Sequence, residues 1–139
     1  MTVPLWCLLG FTAWTLAIAV FGVGAVRVSK VLTGQARPNE FPADQPHGSP
    51  LYRRTMRAHA NCVENLPVFA AVVLTAAVTG VDTPRLDALA MLYLGARVGQ
   101  TVAHVSSGRN LVINVRFGFF VVQLVAVTAM GVLVARANL

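Results

Sequence analysis

The chain has 139 residues, of which 56% are hydrophobic and only 12% are charged, whereas soluble domains carry about 25% charged residues. This composition excludes an ordinary soluble fold and predicts a single domain built inside a membrane. The net charge of +6 does not indicate nucleic-acid binding, because the basic residues lie between apolar blocks, as they do in oriented membrane proteins.

The first apolar block predicts a membrane-spanning helix over residues 4–26. No charged residue occurs from Met1 to Val26, and a stretch of this length can cross a hydrocarbon core of about 30 Å. A cleaved signal peptide is the alternative, but the basic segment that precedes the apolar run of a signal peptide is missing. A hydrophilic loop is predicted next, over residues 27–57, where six helix breakers exclude one continuous helix. These breakers are Gly34, Pro38, Pro42, Pro46, Gly48 and Pro50.

Three further apolar blocks follow this loop. The second predicted span covers residues 58–80 and ends at a short turn with glycine and proline, so spans two and three should be antiparallel neighbours. The third span covers residues 86–106 and is the weakest by hydropathy, because Arg97 lies at its middle. The fourth covers residues 117–135. The sequence therefore predicts an all-α fold, an integral-membrane four-helix bundle that occupies residues 1–139 as one domain.

The basic residues predict how this bundle is oriented. Eight of them fall on the side of the first loop, namely Arg27, Lys30, Arg37, Arg53, Arg54, Arg57, Arg109 and Arg116. Only Arg85 and Arg136 fall on the other side. By the positive-inside rule the loop is cytoplasmic and both termini are non-cytoplasmic. The pattern fits a bacterial inner membrane and an endoplasmic reticulum membrane equally.

Two polar stripes lie within the apolar spans, where one charged group costs about 2.5–3.5 kcal/mol. On span two the stripe consists of Arg57, Asn61 and Glu64, flanked by Arg54. On span three it consists of Arg97, Gln100 and His104. Each set of three falls within about 60° on a helix. Because both stripes are displaced toward the cytoplasmic ends, they predict a common polar cavity for a small ligand with carboxylates and amines.

A purely structural pairing is the alternative explanation of these charges. Glu64 could pair with Arg57 or Arg97 only to neutralise charge inside the bundle. This pairing does not explain the surplus of arginines over Glu64, which is the only acidic residue at membrane depth. A metal site is not expected, because the three histidines have no cysteine or carboxylate at metal-ligand spacing.

The stripe on span two resembles the signature of a known family. The run from Arg57 to Phe69, RAHANCVENLPVF, is similar to the pattern R-A-x-x-N-x-x-E-x-x-P-x-F of the MAPEG family, the membrane-associated proteins in eicosanoid and glutathione metabolism. The stretch from Arg97 to His104 is similar to the family's R-x-x-H/Y-x-x-x-Y. The resemblance covers nearly the whole chain and implies a homotrimer with glutathione bound between neighbouring subunits near the cytosolic face.

The resemblance also implies roles for individual residues. Glutathione-binding roles are implied for Arg54, Arg57, Asn61, Glu64, Arg97, Gln100, His104 and Arg27, with Lys30 as the alternative to Arg27. Arg116 is implied to stabilise the glutathione thiolate, with Arg109 as its alternative. The chain departs from the family at Gln100 and His104, where the enzymes often carry histidine or tyrosine and then, four residues later, tyrosine.

Together these residues predict a membrane-bound glutathione transferase or peroxidase that conjugates or reduces lipophilic electrophiles. Two alternatives stay open: a non-catalytic lipid-binding or scaffolding member of the family, and a small four-helix transporter in which Glu64 couples proton and substrate movement. The expected partners are glutathione as co-substrate, a lipophilic electrophile or lipid hydroperoxide, membrane lipid and further copies of the chain. Neither a metal nor a nucleic acid is expected.

Overall fold

Four long helices and no strand make up the part of the chain that this computed structural model describes, residues 1–42 and 47–139. Helix α1 covers Val3–Leu32, α2 covers Pro50–Val78, α3 covers Pro84–Ser106 and α4 covers Asn110–Ala137. Within α1 a π-helical segment occupies Ile18–Gly24. The prediction of an all-helical, four-helix fold is confirmed for these residues. Pro46, one of the predicted helix breakers, lies outside the described residues.

Three of these helices, α1, α2 and α4, are long and apolar enough to cross a membrane. The 30 residues of α1 extend over about 45 Å, which exceeds a hydrocarbon core of about 30 Å. Helix α3 is long enough but less apolar, because it carries Arg85, Asp87 and Arg97. Its lower hydropathy agrees with the ranking that the sequence predicts.

Helix α1 extends beyond the predicted span one, because it continues through residue 27 to Leu32. The helix ends where Gly34 adopts a φ of +69° and the N–H of Gln35 donates to the carbonyl of Lys30 at 2.9 Å. This geometry closes a helix and favours glycine, which has no Cβ to strain the left-handed conformation. Apolar content therefore marks the uncharged part of α1, whereas Gly34 marks the end of the helix.

The starts of α2 and α3 follow one local pattern. The hydroxyl of Ser49 accepts a hydrogen bond from the N–H of Tyr52 at 3.2 Å, and Pro50 takes the first helical position. Helix α3 begins in the same way with Thr83 and Pro84. A hydroxyl cap followed by proline is a favoured helix start, since proline has no N–H to leave unbonded. Helix α2 therefore already includes residues 50–57, the last part of the predicted hydrophilic loop.

Side-chain contacts show how the helices are arranged. The indole Nε1 of Trp14 donates to Thr101 Oγ1 at 3.3 Å, and Arg27 Nε donates to Tyr52 OH at 2.8 Å. The C-terminal part of α1 thus lies beside the start of α2. The start of α2 also contacts the end of α3 through Arg54 and Val105, and Gln100 near the end of α3 contacts Arg116 near the start of α4, so each helix runs antiparallel to the next. Both termini share one end of the bundle with the turn around Gly80, which we call the turn end. The segment between α1 and α2 lies at the opposite end, the loop end.

Aromatic rings fill the centre of the bundle. Phe69 and Tyr93 stack with centroids 4.2 Å apart and planes 6° from parallel, and Phe11 packs within 6.2 Å of Phe69 and 6.0 Å of Tyr93. The guanidinium of Arg97 lies 5.3 Å from the centroid of Phe11. The apolar core therefore ends at a buried cation, which its neighbours partly stabilise through the negative faces of their rings.

Close packing of α3 on α4 depends on Gly99. A Cβ at this position would lie 2.7 Å from Cζ of Phe119, so the ring would have to move. We expect Gly99→Ala to lower the free energy of unfolding by about 1–3 kcal/mol, as measured by unfolding in detergent. Gly95→Ala is the matched control on the same helix, because a Cβ there meets nothing within 4 Å. Equal stability of the two variants would contradict the prediction.

Candidate functional site

A cavity of about 330 Å³ lies between α2, α3 and α4 near the loop end. Its lining combines polar groups from three helices with apolar side chains from one: Asn61, Gln100, His104, Arg116, Ile113, Phe117 and Phe120. This volume is at the lower end of small-molecule sites, which measure about 300–1,000 Å³. We call it the loop-end cavity. It brings together four of the residues that the sequence predicts for the site: Asn61, Gln100, His104 and Arg116.

Arg97 lies behind the wall of this cavity. Its side chain is only 1% exposed, and its Nη1 donates hydrogen bonds to Asn61 Oδ1 and, at 2.8 Å, to Gln100 Oε1. No carboxylate pairs with it in the described part of the chain, and its Nε and Nη2 have no hydrogen-bond partner there. A buried charge is costly without hydrogen-bond partners, and the two amides are the hydrogen-bond acceptors that stabilise Arg97. The same bonds orient the side chains of Asn61 and Gln100 in the cavity wall.

The amide of Gln100 connects this buried cation to α4. Its Oε1 accepts from Arg97 Nη1 and also from Gln123 Nε2, the latter at 3.2 Å, while its Nε2 donates to the backbone carbonyl of Arg116 at 3.2 Å. Gln100 is 6% exposed. Its polar atoms are therefore engaged mostly inside the bundle, where they position the segment of α4 that carries Arg116.

Gln123 belongs to the same network, although the sequence stripes do not include it. It is 1% exposed, and its Nε2 donates to Gln100 Oε1 and, at 3.0 Å, to the carbonyl of Phe119. One feature of the sequence could have identified Gln123: it is an amide within a long apolar helix, where a polar side chain generally faces the protein interior. Its Oε1 has no hydrogen-bond partner among the described residues.

Arg57 and Glu64 face away from the interior of the chain. Both are exposed, and neither makes an ion pair or hydrogen bond with the residues described here. The buried face of α2, marked by Ala58 and Cys62, lies about 100° or more from Arg57 on the helix. Only Asn61 of this stripe lies at the edge of the buried face. The structural pairing of Glu64 with Arg57 or Arg97 is therefore absent within the chain.

The comparison with protein families covers nearly all of the four helices. The model of the MAPEG family matches residues 3–136. The chain belongs to the MAPEG family. This match confirms the resemblance drawn from the run Arg57 to Phe69 and, with three helices able to span, identifies a membrane protein. The family contains glutathione transferases and also non-enzymatic members. A search of curated proteins gave no match.

Besides Arg57, Glu64 and Arg97, two further predicted site residues of this MAPEG chain do not line the loop-end cavity. Arg54 Nε donates to the carbonyl of Val105 at 3.1 Å, which joins the start of α2 to the last turn of α3. The positive guanidinium also interacts favourably with the negative C-terminal end of the α3 dipole. Arg27 donates to Tyr52 and lies 5.4 Å from the ring centroid of Phe41. It lines a separate cavity of about 300 Å³ at the end of α1.

The two arginines considered for thiolate stabilisation occupy different places in the MAPEG bundle. Arg116 is half-buried and lines the loop-end cavity. It lies about two turns inside α4, because that helix begins at Asn110, before the span predicted from residue 117. Arg109 is exposed, precedes the first turn of α4 and is not among the lining residues. Within one chain, Arg116 is therefore the arginine that can meet a ligand in the cavity.

Proposed function

We propose that the protein is a membrane-bound glutathione transferase that acts on lipophilic electrophiles and also reduces lipid hydroperoxides. The observation that carries this proposal is the placement of Arg116 in one cavity with the polar residues Asn61, Gln100 and His104, while the remaining wall is aromatic and aliphatic. The polar wall suits a charged peptide thiol, and the apolar wall suits a substrate that arrives from lipid. Membership of a family that includes glutathione transferases supports the same activity.

The chemistry requires a thiolate beside an electrophile. A thiol with a pKa of about 8.5 is only a few per cent ionised at neutral pH. A guanidinium that lowers this pKa by about two units stabilises the thiolate by about 2.7 kcal/mol, and Arg116 would have this role. The sulfur then forms a bond to the electrophilic carbon, and the leaving group departs with its electron pair. With a hydroperoxide, the sulfur attacks the terminal oxygen, the O–O bond breaks and the other oxygen leaves as the alcohol. A second glutathione then attacks the resulting sulfenic acid, which forms the disulfide and releases water.

A homotrimer is part of this proposal. Glu64 lies near the middle of α2, about 21 Å along a helix of about 43 Å, and is exposed. A carboxylate at membrane depth requires a protein or water surface, which a neighbouring subunit would supply. Glutathione would bind between subunits, and Arg27 could then reach it from the neighbouring chain. The excess of basic residues at the loop end supports a cytoplasmic loop end and non-cytoplasmic termini.

A non-catalytic, lipid-binding or scaffolding function is the second candidate. It is favoured by Gln100, whose amide is engaged with Arg97 and Gln123, and by the lack of a tyrosine among the described residues that line the cavity. A proton-coupled transporter has less support, because the loop-end cavity lies toward one end of the bundle and Glu64 is not among its lining residues.

The direct test is an assay of the purified protein in detergent. Glutathione conjugation of a broad panel of lipophilic electrophiles and reduction of lipid hydroperoxides should exceed the uncatalysed rates. Turnover and calorimetry with glutathione together distinguish the two candidates. Binding with turnover would support the transferase. If neither binding nor turnover occurs, the transferase proposal is wrong and the lipid-binding or scaffolding candidate stands.

Glu64→Gln should weaken glutathione binding about tenfold or more, because a charge-assisted hydrogen bond to an ammonium group contributes about 1.5–3 kcal/mol. Unfolding in detergent should change little, since Glu64 has no partner within the described chain. The dissociation constant is measured by calorimetry. Asp82→Asn is the control, because it removes an exposed carboxylate at the turn end. Equal weakening by both substitutions would show a general charge effect and contradict a specific role for Glu64.

A further inference from the structure

A second surface feature lies at the turn end, far along the bundle from the loop-end cavity. It is a groove of about 540 Å³ between α3 and α4, which we call the turn-end groove. Two arginines and five small or aliphatic side chains line it: Arg85, Arg136, Ala88, Leu89, Ala129, Val132 and Leu133. It shares no lining residue with the loop-end cavity. The proposed reaction does not use it.

The two arginines give the groove an uncompensated positive charge. Arg85 lies in the first turn of α3 and Arg136 in the last turn of α4, so the antiparallel helices bring both to the same end. Both are exposed, and neither has an ion pair or hydrogen bond with the described residues. Asp87, the acidic residue of α3, lies about 100° or more around the helix from Arg85, Ala88 and Leu89. The groove thus contains cations and no acid.

The apolar walls continue from these cations along the helices. Ala88 and Leu89 follow Arg85 by one turn on α3, and Ala129, Val132 and Leu133 precede Arg136 on α4. The small side chains of Ala88 and Ala129 leave space between the helices. A ligand that matches the groove therefore has an anionic head and an apolar tail. Its head lies level with the helix ends, where the headgroup region of a membrane begins.

We propose that the turn-end groove binds one anionic phospholipid, with its phosphate between Arg85 and Arg136 and an acyl chain along Ala88 and Ala129. Guanidinium groups bind phosphate through paired hydrogen bonds, and the apolar walls beside them suit an acyl chain. A free phosphate would contact the arginines but leave the apolar walls uncovered. A second copy of the chain would have to supply an acid, for which the exposed Asp82 is the candidate at this end.

The test uses the full-length protein in neutral detergent with phosphatidylglycerol and phosphatidylcholine of identical acyl chains. Native mass spectrometry measures the affinity of each lipid. Phosphatidylglycerol should bind about tenfold more tightly, and the double variant R85Q/R136Q should lose this preference. Ala88→Trp, at an exposed position, should weaken both lipids by filling the groove while leaving the arginines in place. The control R37Q/R53Q removes two exposed charges at the loop end and should keep the preference.

Any of the following four results would overturn the proposal of a phospholipid site. Equal affinity for the two lipids, or equal loss in the control, would show that Arg85 and Arg136 do not form a specific site. Complete competition by inorganic phosphate would indicate a site for a soluble anion. A changed oligomeric mass in R85Q/R136Q with unchanged lipid preference would indicate a contact between copies. Calorimetry with glutathione on the same samples separates this proposal from the proposed function, because the two sites share no residue.

Discussion

Replacement of Arg116 by leucine is expected to lower kcat/KM for glutathione conjugation about a hundredfold at neutral pH. Arg116 lines the loop-end cavity and is half-buried, so its charge acts on a bound thiol with less screening than at an exposed position. Loss of about two units of pKa depression corresponds to about 2.7 kcal/mol in thiolate stability. The variant should instead require a pH near the thiol's ordinary pKa of about 8.5 to approach full activity.

The pH profile of the rate is the measurement that identifies this role. In the unmodified protein the activity should already rise below neutral pH, because the thiolate forms there, whereas in Arg116→Leu the rise should move upward by about two units. Arg109→Leu is the control, since Arg109 is exposed at the start of the same helix and does not line the cavity. Arg116→Lys should retain part of the activity, because it keeps the charge without the fixed geometry of the guanidinium.

Two results would contradict this assignment. If Arg116→Leu and Arg109→Leu reduced the rate equally, the charge at the loop end would act only on the encounter with glutathione. If Arg116→Leu weakened glutathione binding while its pH profile stayed unchanged, Arg116 would bind the peptide and not the thiolate.

Hydropathy was sufficient for the number and order of the helices but not for their ends. The apolar stretch of α1 stops at Val26, yet the helix continues to Leu32, because the backbone hydrogen bonds of the last turns do not depend on an apolar environment. Gly34 ends the helix by its left-handed conformation, and Ser49 starts the next by its cap. Both are readable from sequence as local patterns. The positions of individual helix-breaking and capping residues therefore predict the helix ends better than the density of breakers in the loop does.

The polar stripes show what helical periodicity can and cannot predict about a site. Periodicity placed Gln100 and His104 on one face of α3, and both line the loop-end cavity together with Asn61 of the α2 stripe. It could not predict that Arg57 and Glu64 turn outward, because a helical wheel identifies a shared face without identifying what that face contacts. Resolving that question requires the positions of the other helices, and for the proposed trimer those of neighbouring subunits.

The hydrogen-bond network behind the cavity was the least predictable part. Gln123 joins Gln100 across two helices, a contact that depends on the relative rotation of α3 and α4. That rotation is determined partly by Gly99, whose lack of a Cβ admits the ring of Phe119. Arg97, expected at the ligand, is instead 1% exposed and bonded to amides. Its contribution to glutathione binding stays a prediction. Its hydrogen bonds to Asn61 and Gln100 depend on how the helices pack.

Gln100→Leu is expected to lower the free energy of unfolding by about 3 kcal/mol. The substitution removes the acceptor of a hydrogen bond from a buried guanidinium, worth about 1.5–3 kcal/mol, and leaves the Gln123 amide without one of its acceptors. Asn61 then becomes the remaining acceptor for Arg97 in the described chain. The buried guanidinium then has fewer hydrogen bonds to offset the loss of its hydration, which raises the free-energy cost of burying it. Unfolding in detergent, followed by circular dichroism, gives the change.

Gln123→Leu is the matched control, because it removes an amide of the same size from the same network without depriving Arg97 of an acceptor. It should cost at most about 1–2 kcal/mol, since both lost hydrogen bonds come from a neutral donor. The double variant should be less destabilised than the sum of the two single variants, because the bond between Gln100 and Gln123 is lost only once. If Gln123→Leu proved as destabilising as Gln100→Leu, the charge on Arg97 would not depend on Gln100. The network would then stabilise the packing of α3 on α4 and not a buried cation.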